Sequence, residues 1–374
     1  MKRRSLLSLL LAGAAGGGLA RGSRGMGMDG SAMASQTRKR SVLVLLELRG
    51  GNDGLNTVAP VGDPLYRPAR PSLALSDGLP IGEGLSLHPA LAPLLPLWRS
   101  RRLAFALGVG WPQPNRSHFK ASDQWATGSQ SGEGTGWLAA AMDQRQQAGP
   151  LLALGPAGCT AMEGGKALAL QLSPIELRER LSSNFDPKRA RDNAVLRQML
   201  TLEQAGQQEM ERLQRELAPV PTDLATPRGE LGKQVGLALR LIGSEVCPPV
   251  LQIAQGGYDT HANQPARHAR VLAELAVAIA ALATGLERLS NRPTVTLLAV
   301  SEFGRRLREN GSGGTDHGSA SVALLFGDQL PSPFLGRYPS LSNLDERGDL
   351  IPGLSPPELY RQVLAMAGMG VNVV

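Results

Sequence analysis

The sequence predicts an α/β fold in which a mainly parallel central sheet is sandwiched between helices. Nearly continuous apolar runs, the first of them Val42–Leu48, suit strands covered on both faces. Stretches of helical period fall between these runs. The polar residues able to do chemistry follow several of the runs directly, and open α/β sheets hold their ligands just outside the carboxyl ends of their strands.

Taken in order, Val42-Leu43-Val44-Leu45-Leu46-Glu47-Leu48 stops at Arg49-Gly50-Gly51-Asn52-Asp53-Gly54, a turn-forming sequence. The same pattern recurs at Leu103–Val109, Val250–Ala254, Thr294–Ser301 and Ser321–Phe326, and more weakly at 151–154 and 167–172. Val195, Leu196, Met199, Leu200, Met210, Leu213 and Leu217 mark a long amphipathic helix from about 188 to 218. Val271, Leu272, Leu275, Ile279 and Leu282 mark another, opened by Pro265. Ser355-Pro356-Pro357-Glu358 is a helix start, with a Ser cap, Pro at the first position and an acid in the first turn. The Gly/Pro-rich stretches 59–93 and 327–357 read as surface excursions. With neither an internal repeat nor a linker, 41–374 is expected to form a single domain.

The N-terminal residues have a different character. Met1-Lys2-Arg3-Arg4-Ser5-Leu6-Leu7 leads into a short Leu/Ala/Gly stretch, and Ala32-Met33-Ala34 fits an A-x-A cleavage site. This order is that of a secretory signal peptide over residues 1–34, and the paired arginines resemble the twin-arginine class, whose export machinery carries folded proteins. The apolar stretch is shorter than the roughly 20 residues a membrane span needs, so no stable transmembrane anchor is expected. A periplasmic or extracellular location follows. Cys159 and Cys247 could there form a disulfide or remain separate thiols.

The formal charge of +7 resides in this segment. Residues 1–40 hold eight Lys/Arg against Asp29, which leaves 31 basic and 31 acidic residues from Ser41 onward. A neutral body without a basic stripe argues against nucleic acid as a partner.

Four segments gather chemically able residues. Asp53 follows the first strand. Asp259 and His261 follow the strand at 250–254, and Glu302, Arg305, Asp316 and His317 follow the one at 294–301. Asn115-Arg116-Ser117-His118-Phe119 follows the strand at 103–109 and reads as a loop entering a helix. Carboxylates and imidazoles crowded at one sheet edge repel one another unless a cation or an anionic substrate compensates. Asp with His suits Zn²⁺, Mn²⁺ or Mg²⁺ better than Ca²⁺. Ser117, at a helix N-terminus beside such a metal, is a candidate nucleophile, although Ser is also a common helix cap. Asp53 could equally bond its own turn, and Asp259 with His261 could cap a helix beside a structural imidazole. Arg116 and Arg305 could grip an oxyanion or form ordinary salt bridges.

The segments Glu47–Thr57, Arg116-Ser117-His118-Phe119 with Trp125-Ala126-Thr127-Gly128, Gly256–His261, and Ser301–Arg305 with Gly314–Gly318 together resemble the exported family called domain of unknown function 1501. That family is similar in turn to the alkaline phosphatase and sulfatase superfamily. The resemblance implies an alkaline phosphatase-like fold with two divalent metals. Asp53, Asp316 and His317 would hold one beside a Ser117 nucleophile, and Asp259 with His261 would hold the other. This chain departs from the superfamily pattern in three ways: one residue separates Asp259 from His261 where three are usual, no histidine follows His317, and an insertion lies between Glu302 and Thr315. His118 is a candidate for the missing ligand and Glu302 for the strand-end acid. A single metal, or none, stays open.

The resulting expectation is an exported metal-dependent hydrolase of phosphate or sulfate esters, small or polymeric. The alternative is a non-catalytic relative that binds a surface polymer or a partner protein.

Overall fold

The computed structural model describes residues 40–145, 149–155, 158–172, 186–190, 193–217 and 227–370. The signal peptide expected at 1–34 lies outside the described residues. The strands are β1 (Ser41–Leu48), β2 (Val58–Ala59), β3 (Leu79–Gly82), β4 (Leu85–Leu87), β5 (Leu103–Val109) and β6 (Leu151–Leu154). They continue with β7 (Ala169–Leu172), β8 (Val250–Gln255), β9 (Thr294–Val300), β10 (Ser321–Gly327) and β11 (Phe334–Gly336).

One eight-stranded sheet runs β11-β5-β10-β9-β1-β8-β6-β7. β1 lies between β8 and β9, parallel to both, and β6 and β7 extend the parallel run. β10 runs against both of its neighbours, β5 and β9. The fold is therefore α/β with a mainly parallel sheet. Side chains of a strand alternate between faces, and β1 shows what that demands of its sequence. Val42, Val44, Leu46 and Leu48 pack with helices Glu230–Ile242 and Gln264–Glu287, while Leu43 and Leu45 pack with helices Trp137–Arg145 and Pro356–Met366. Both faces are covered, so both sets of positions must be apolar.

The long helix expected over 188–218 spans Ala194–Glu216, with a separate turn at Pro187–Ala190. Helix Gln264–Glu287 is apolar and long enough to cross a membrane. Its apolar stripe nevertheless lies against the sheet, with Val271, Leu272, Leu275, Ile279 and Leu282 all buried.

Two expectations are corrected. The stretch 59–93 is not a surface excursion: it holds β3 and β4, which pair with β2 as a small antiparallel sheet, and Tyr66, Leu87 and Leu91 are fully buried. The stretch 327–357 likewise supplies the edge strand β11 and buries Leu341, Leu350 and Leu354. Gly and Pro there shape tight turns around apolar anchors rather than marking exposed loops. Cys159 and Cys247 are both free thiols, and burial pushes them up to about 12 and about 11, so neither is a reactive thiolate near neutrality.

His268, on helix Gln264–Glu287, is buried with Nε2 3.0 Å from Asn52 Oδ1. Burial pushes its pKa down to about 3 from 6.5. The folded state thus keeps it neutral, while the unfolded chain takes up a proton as pH falls below 6.5, so its contribution is complete above that pH and is lost progressively toward about pH 3. Urea unfolding at pH 7 and at pH 5 is expected to show a loss of about 2 kcal/mol from this group, and His268→Gln is expected to lessen the pH dependence by that amount.

Candidate metal centre

The loop Arg49–Asp53 leaves β1 with Gly50 at φ +119° and Gly51 at φ +75°, a region that favours glycine. A Cβ on Gly50 would lie 2.3 Å from the Asp259 backbone nitrogen, and one on Gly51 2.2 Å from the Phe303 ring. The absent side chains let three strand ends close on one another. Arg305 fastens them. Its buried guanidinium donates to the carbonyls of Gly50, Gly51 (2.6 Å), Tyr258 (3.1 Å) and Thr315 (2.7 Å) and to Asp259 Oδ1 (2.8 Å). Engaged with five protein oxygens and 1% exposed, Arg305 does not present itself to a substrate oxyanion; it is a structural cation.

Around Asp259 stand three imidazoles. His317 Nδ1 lies 2.9 Å from the Arg116 carbonyl; a carbonyl only accepts, so Nδ1 carries the proton and Nε2 is a bare lone pair. His118 Nδ1 lies 2.8 Å from Glu302 Oε1, an acceptor further fixed by the Gly50 N–H at 2.8 Å. His261 Nδ1 faces Asp316 Oδ1 at 3.3 Å, and Asn310 Nδ2 donates to that same oxygen at 3.1 Å. Each ring is thus held from outside at Nδ1, the arrangement by which second-shell acceptors orient metal-binding histidines.

The Nε2 atoms meet on the inside. His261 Nε2 lies 3.0 Å from His317 Nε2, and the two lie 3.1 and 3.2 Å from Asp259 Oδ1. His118 Nε2 is 3.5 Å from Asp259 Oδ2. His118, Asp259 and His317 each place a ligand atom within 4.8 Å of the others, and His261 adjoins them. Lone pairs facing a carboxylate at these distances repel unless a cation lies among them. Zinc bonded at 2.0–2.1 Å sets tetrahedral donors about 3.3 Å apart, and the triangle of Asp259 Oδ1, His261 Nε2 and His317 Nε2 has sides close to that. The donor set therefore fits one such cation. Burial would raise the Asp259 carboxyl, but the hydrogen bond and charge of Arg305 hold it below its ordinary value. Burial also lowers His317, keeping it a neutral ligand.

Of the other sequence candidates, Arg116 pairs through its guanidinium with buried Asp349. Ser117 is exposed at the N-cap of helix His118–Thr127, and its side chain caps no helix N–H. Asp316 is part of the centre through His261, and Glu302 through His118. Asp53 is not brought into the group. It is fully buried, with Oδ2 2.5 Å from Arg70 Nη1 and 2.5 Å from Gln264 Nε2. Burial would raise its pKa, but the Arg70 charge and hydrogen bond outweigh that and lower it.

Sequence reasoning missed Arg70, Gln264 and Asn310. Gln264 Oε1 accepts from Thr260 Oγ1 (3.1 Å) and Thr315 Oγ1 (2.7 Å), so it ties the Asp259–His261 loop to the one carrying Asp316 and His317. Its position at the end of the Asp-Thr-His-Ala-Asn segment was the only signal available; Arg70, in Pro68-Ala69-Arg70-Pro71, had none.

A family model described as "Protein of unknown function (DUF1501)" matches residues 103–344, about two thirds of the chain. No curated protein matches it. Similar solved structures include the C-terminal periplasmic domain of EptC from Escherichia coli, in complex with Zn, at 11% identity and TM-score 0.42, covering 89% of this chain and 84% of that one. A protein in the alkaline phosphatase superfamily from Vibrio parahaemolyticus is 11% identical with TM-score 0.40, covering 89% and 67%. The phosphonate monoester hydrolase of Agrobacterium radiobacter is 9% identical with TM-score 0.39, covering 88% and 74%. At these scores the likeness fixes no activity.

Replacing the acceptor that orients His118 tests the outer shell. Glu302→Gln is expected to weaken Zn²⁺ binding about 10–100-fold in isothermal titration, with the protein still folded by circular dichroism.

Proposed function

The chain belongs to the DUF1501 family of proteins of unknown function, and for this member we propose a metal-dependent hydrolase of phosphate or sulfate esters that acts outside the cytoplasm. The observation that carries the reading is the convergence of three outwardly tethered imidazoles on Asp259. His118, Asp259, His261 and His317 would hold the ion, and an imidazole-rich set favours Zn²⁺ over Mg²⁺, which prefers oxygen ligands. When bound, the ion supplies Lewis-acid polarisation of the ester and neutralises the charge that develops on it. Glu302 and Asp316 keep the imidazoles in the ligating tautomer, and Arg305 keeps Asp259 ionised. Ser117 offers an exposed hydroxyl one residue from His118, uncommitted to its own helix, and is the nucleophile in this reading. Phe119, 86% exposed beside it, offers an apolar surface to the organic part of the ester. The N-terminal Arg3-Arg4 segment supports export by the twin-arginine route.

A second reading, a non-catalytic binding protein for a surface polymer or partner, is favoured by one feature. Among the described residues no imidazole or carboxylate is hydrogen-bonded to the Ser117 hydroxyl as a base.

Purified protein is expected to contain stoichiometric metal and to hydrolyse p-nitrophenyl phosphate or sulfate. Asp316→Ala/His317→Ala should lose the metal, and Ser117→Ala should keep it while kcat drops about 1,000-fold or more. Metal without turnover on any ester selects the binding reading; a parent that takes up no metal removes the hydrolase reading. Fractionation of cells expressing Arg3→Lys/Arg4→Lys should find the precursor retained in the cytoplasm, and normal export of that variant would rule out the twin-arginine route.

A further inference from the structure

The family resemblance implies two ions, one of them held by Asp53. We infer instead that the centre takes a single divalent cation and that Arg70 is the built-in positive charge serving Asp53, an inference that rests on the metal-dependent reading above and narrows it.

Asp53 Oδ2 receives both Arg70 Nη1 and Gln264 Nε2, and the Arg70 and Asp53 side chains are 0% exposed. Arg70 is anchored on its other side as well, to Asn56 Oδ1 (2.9 Å) and to the carbonyls of Leu307 (2.9 Å) and Arg306 (2.8 Å). An ion displacing it would leave those acceptors without their donor and a guanidinium without its counter-charge.

Asp53 Oδ1 is buried without a partner, and it is where a second ion would have to bind. The side-chain oxygens of the same network are already committed: Asn52 Oδ1 faces His268 Nε2, Asn56 Oδ1 accepts from Tyr66 OH and Arg70, and Gln264 Oε1 accepts from the two threonines. Zinc seeks about four ligands, and among the described residues the His, Cys, Asp and Glu ligand atoms that gather are those of His118, Asp259 and His317, with none gathered at Asp53.

The Asp53–Arg70 pair is already neutral and calls for no ion.

The test is stoichiometry. Metal-free protein is dialysed against Zn²⁺, and separately Mn²⁺, and its content measured by elemental analysis. One ion per chain is expected. The double variant Asp53→Leu/Arg70→Met, which removes the pair together, should when folded still bind one ion per chain, whereas His317→Ala should weaken binding more than about 100-fold. Two ions in the parent would overturn the inference and leave the hydrolase reading standing; none would remove both. A folded double variant that takes up no ion at all would overturn the inference. If that variant does not fold, the parent's count decides alone.

Discussion

Arg305 carries its charge into a site that water barely reaches, and its donors hold the loops leaving β1, β8 and β9 at once. Burying a guanidinium is costly unless it is fully hydrogen-bonded and paired. Here the pairing carboxylate is Asp259, which the imidazoles surround. The structural demand and the chemical one therefore meet in a single residue: Asp259 neutralises Arg305, Arg305 keeps Asp259 ionised, and the ionised oxygen is what the Nε2 atoms face. Glycines at 50 and 51 are the steric condition for this, since a side chain at either would push the β1 loop off Asp259 or Phe303.

Beneath that first layer lies a second polar layer with no opening to solvent. Arg70, Asp53 and Gln264 form a chain that ends on Thr260 and Thr315, each next to candidate ligands. A half-satisfied buried network destabilises, whereas a connected one rigidifies. This one fixes the spacing of two loops otherwise rich in Gly. Rigid spacing suits a metal centre, because ligand atoms held near their final positions do not have to be ordered when the ion arrives.

The long strands were legible because burial on both faces forces an unbroken apolar run, a pattern that few other structures require. β2–β4 and β11 were not, being two to four residues long; Leu79-Pro80-Ile81-Gly82 reads as a turn until its partner strand is known. In the centre, residue types were legible since His and Asp placed after strand ends have few structural uses. Their orientation was not. Whether Asp53 faces the imidazoles or a guanidinium depends on Arg70, which a Pro-rich stretch delivers from 17 positions away. Likewise the burial of Arg305 depends on carbonyls from three loops, a contact between residues up to 255 apart that no local pattern encodes.

The central claim is that His118, His261 and His317 with Asp259 surround one cation. X-ray absorption at the zinc edge of the loaded protein tests it most directly. The account predicts a first shell at about 2.0–2.1 Å with the multiple-scattering signature of three imidazoles and the remaining scattering from oxygen. A shell of oxygen alone, one containing sulfur, or a single imidazole would contradict it.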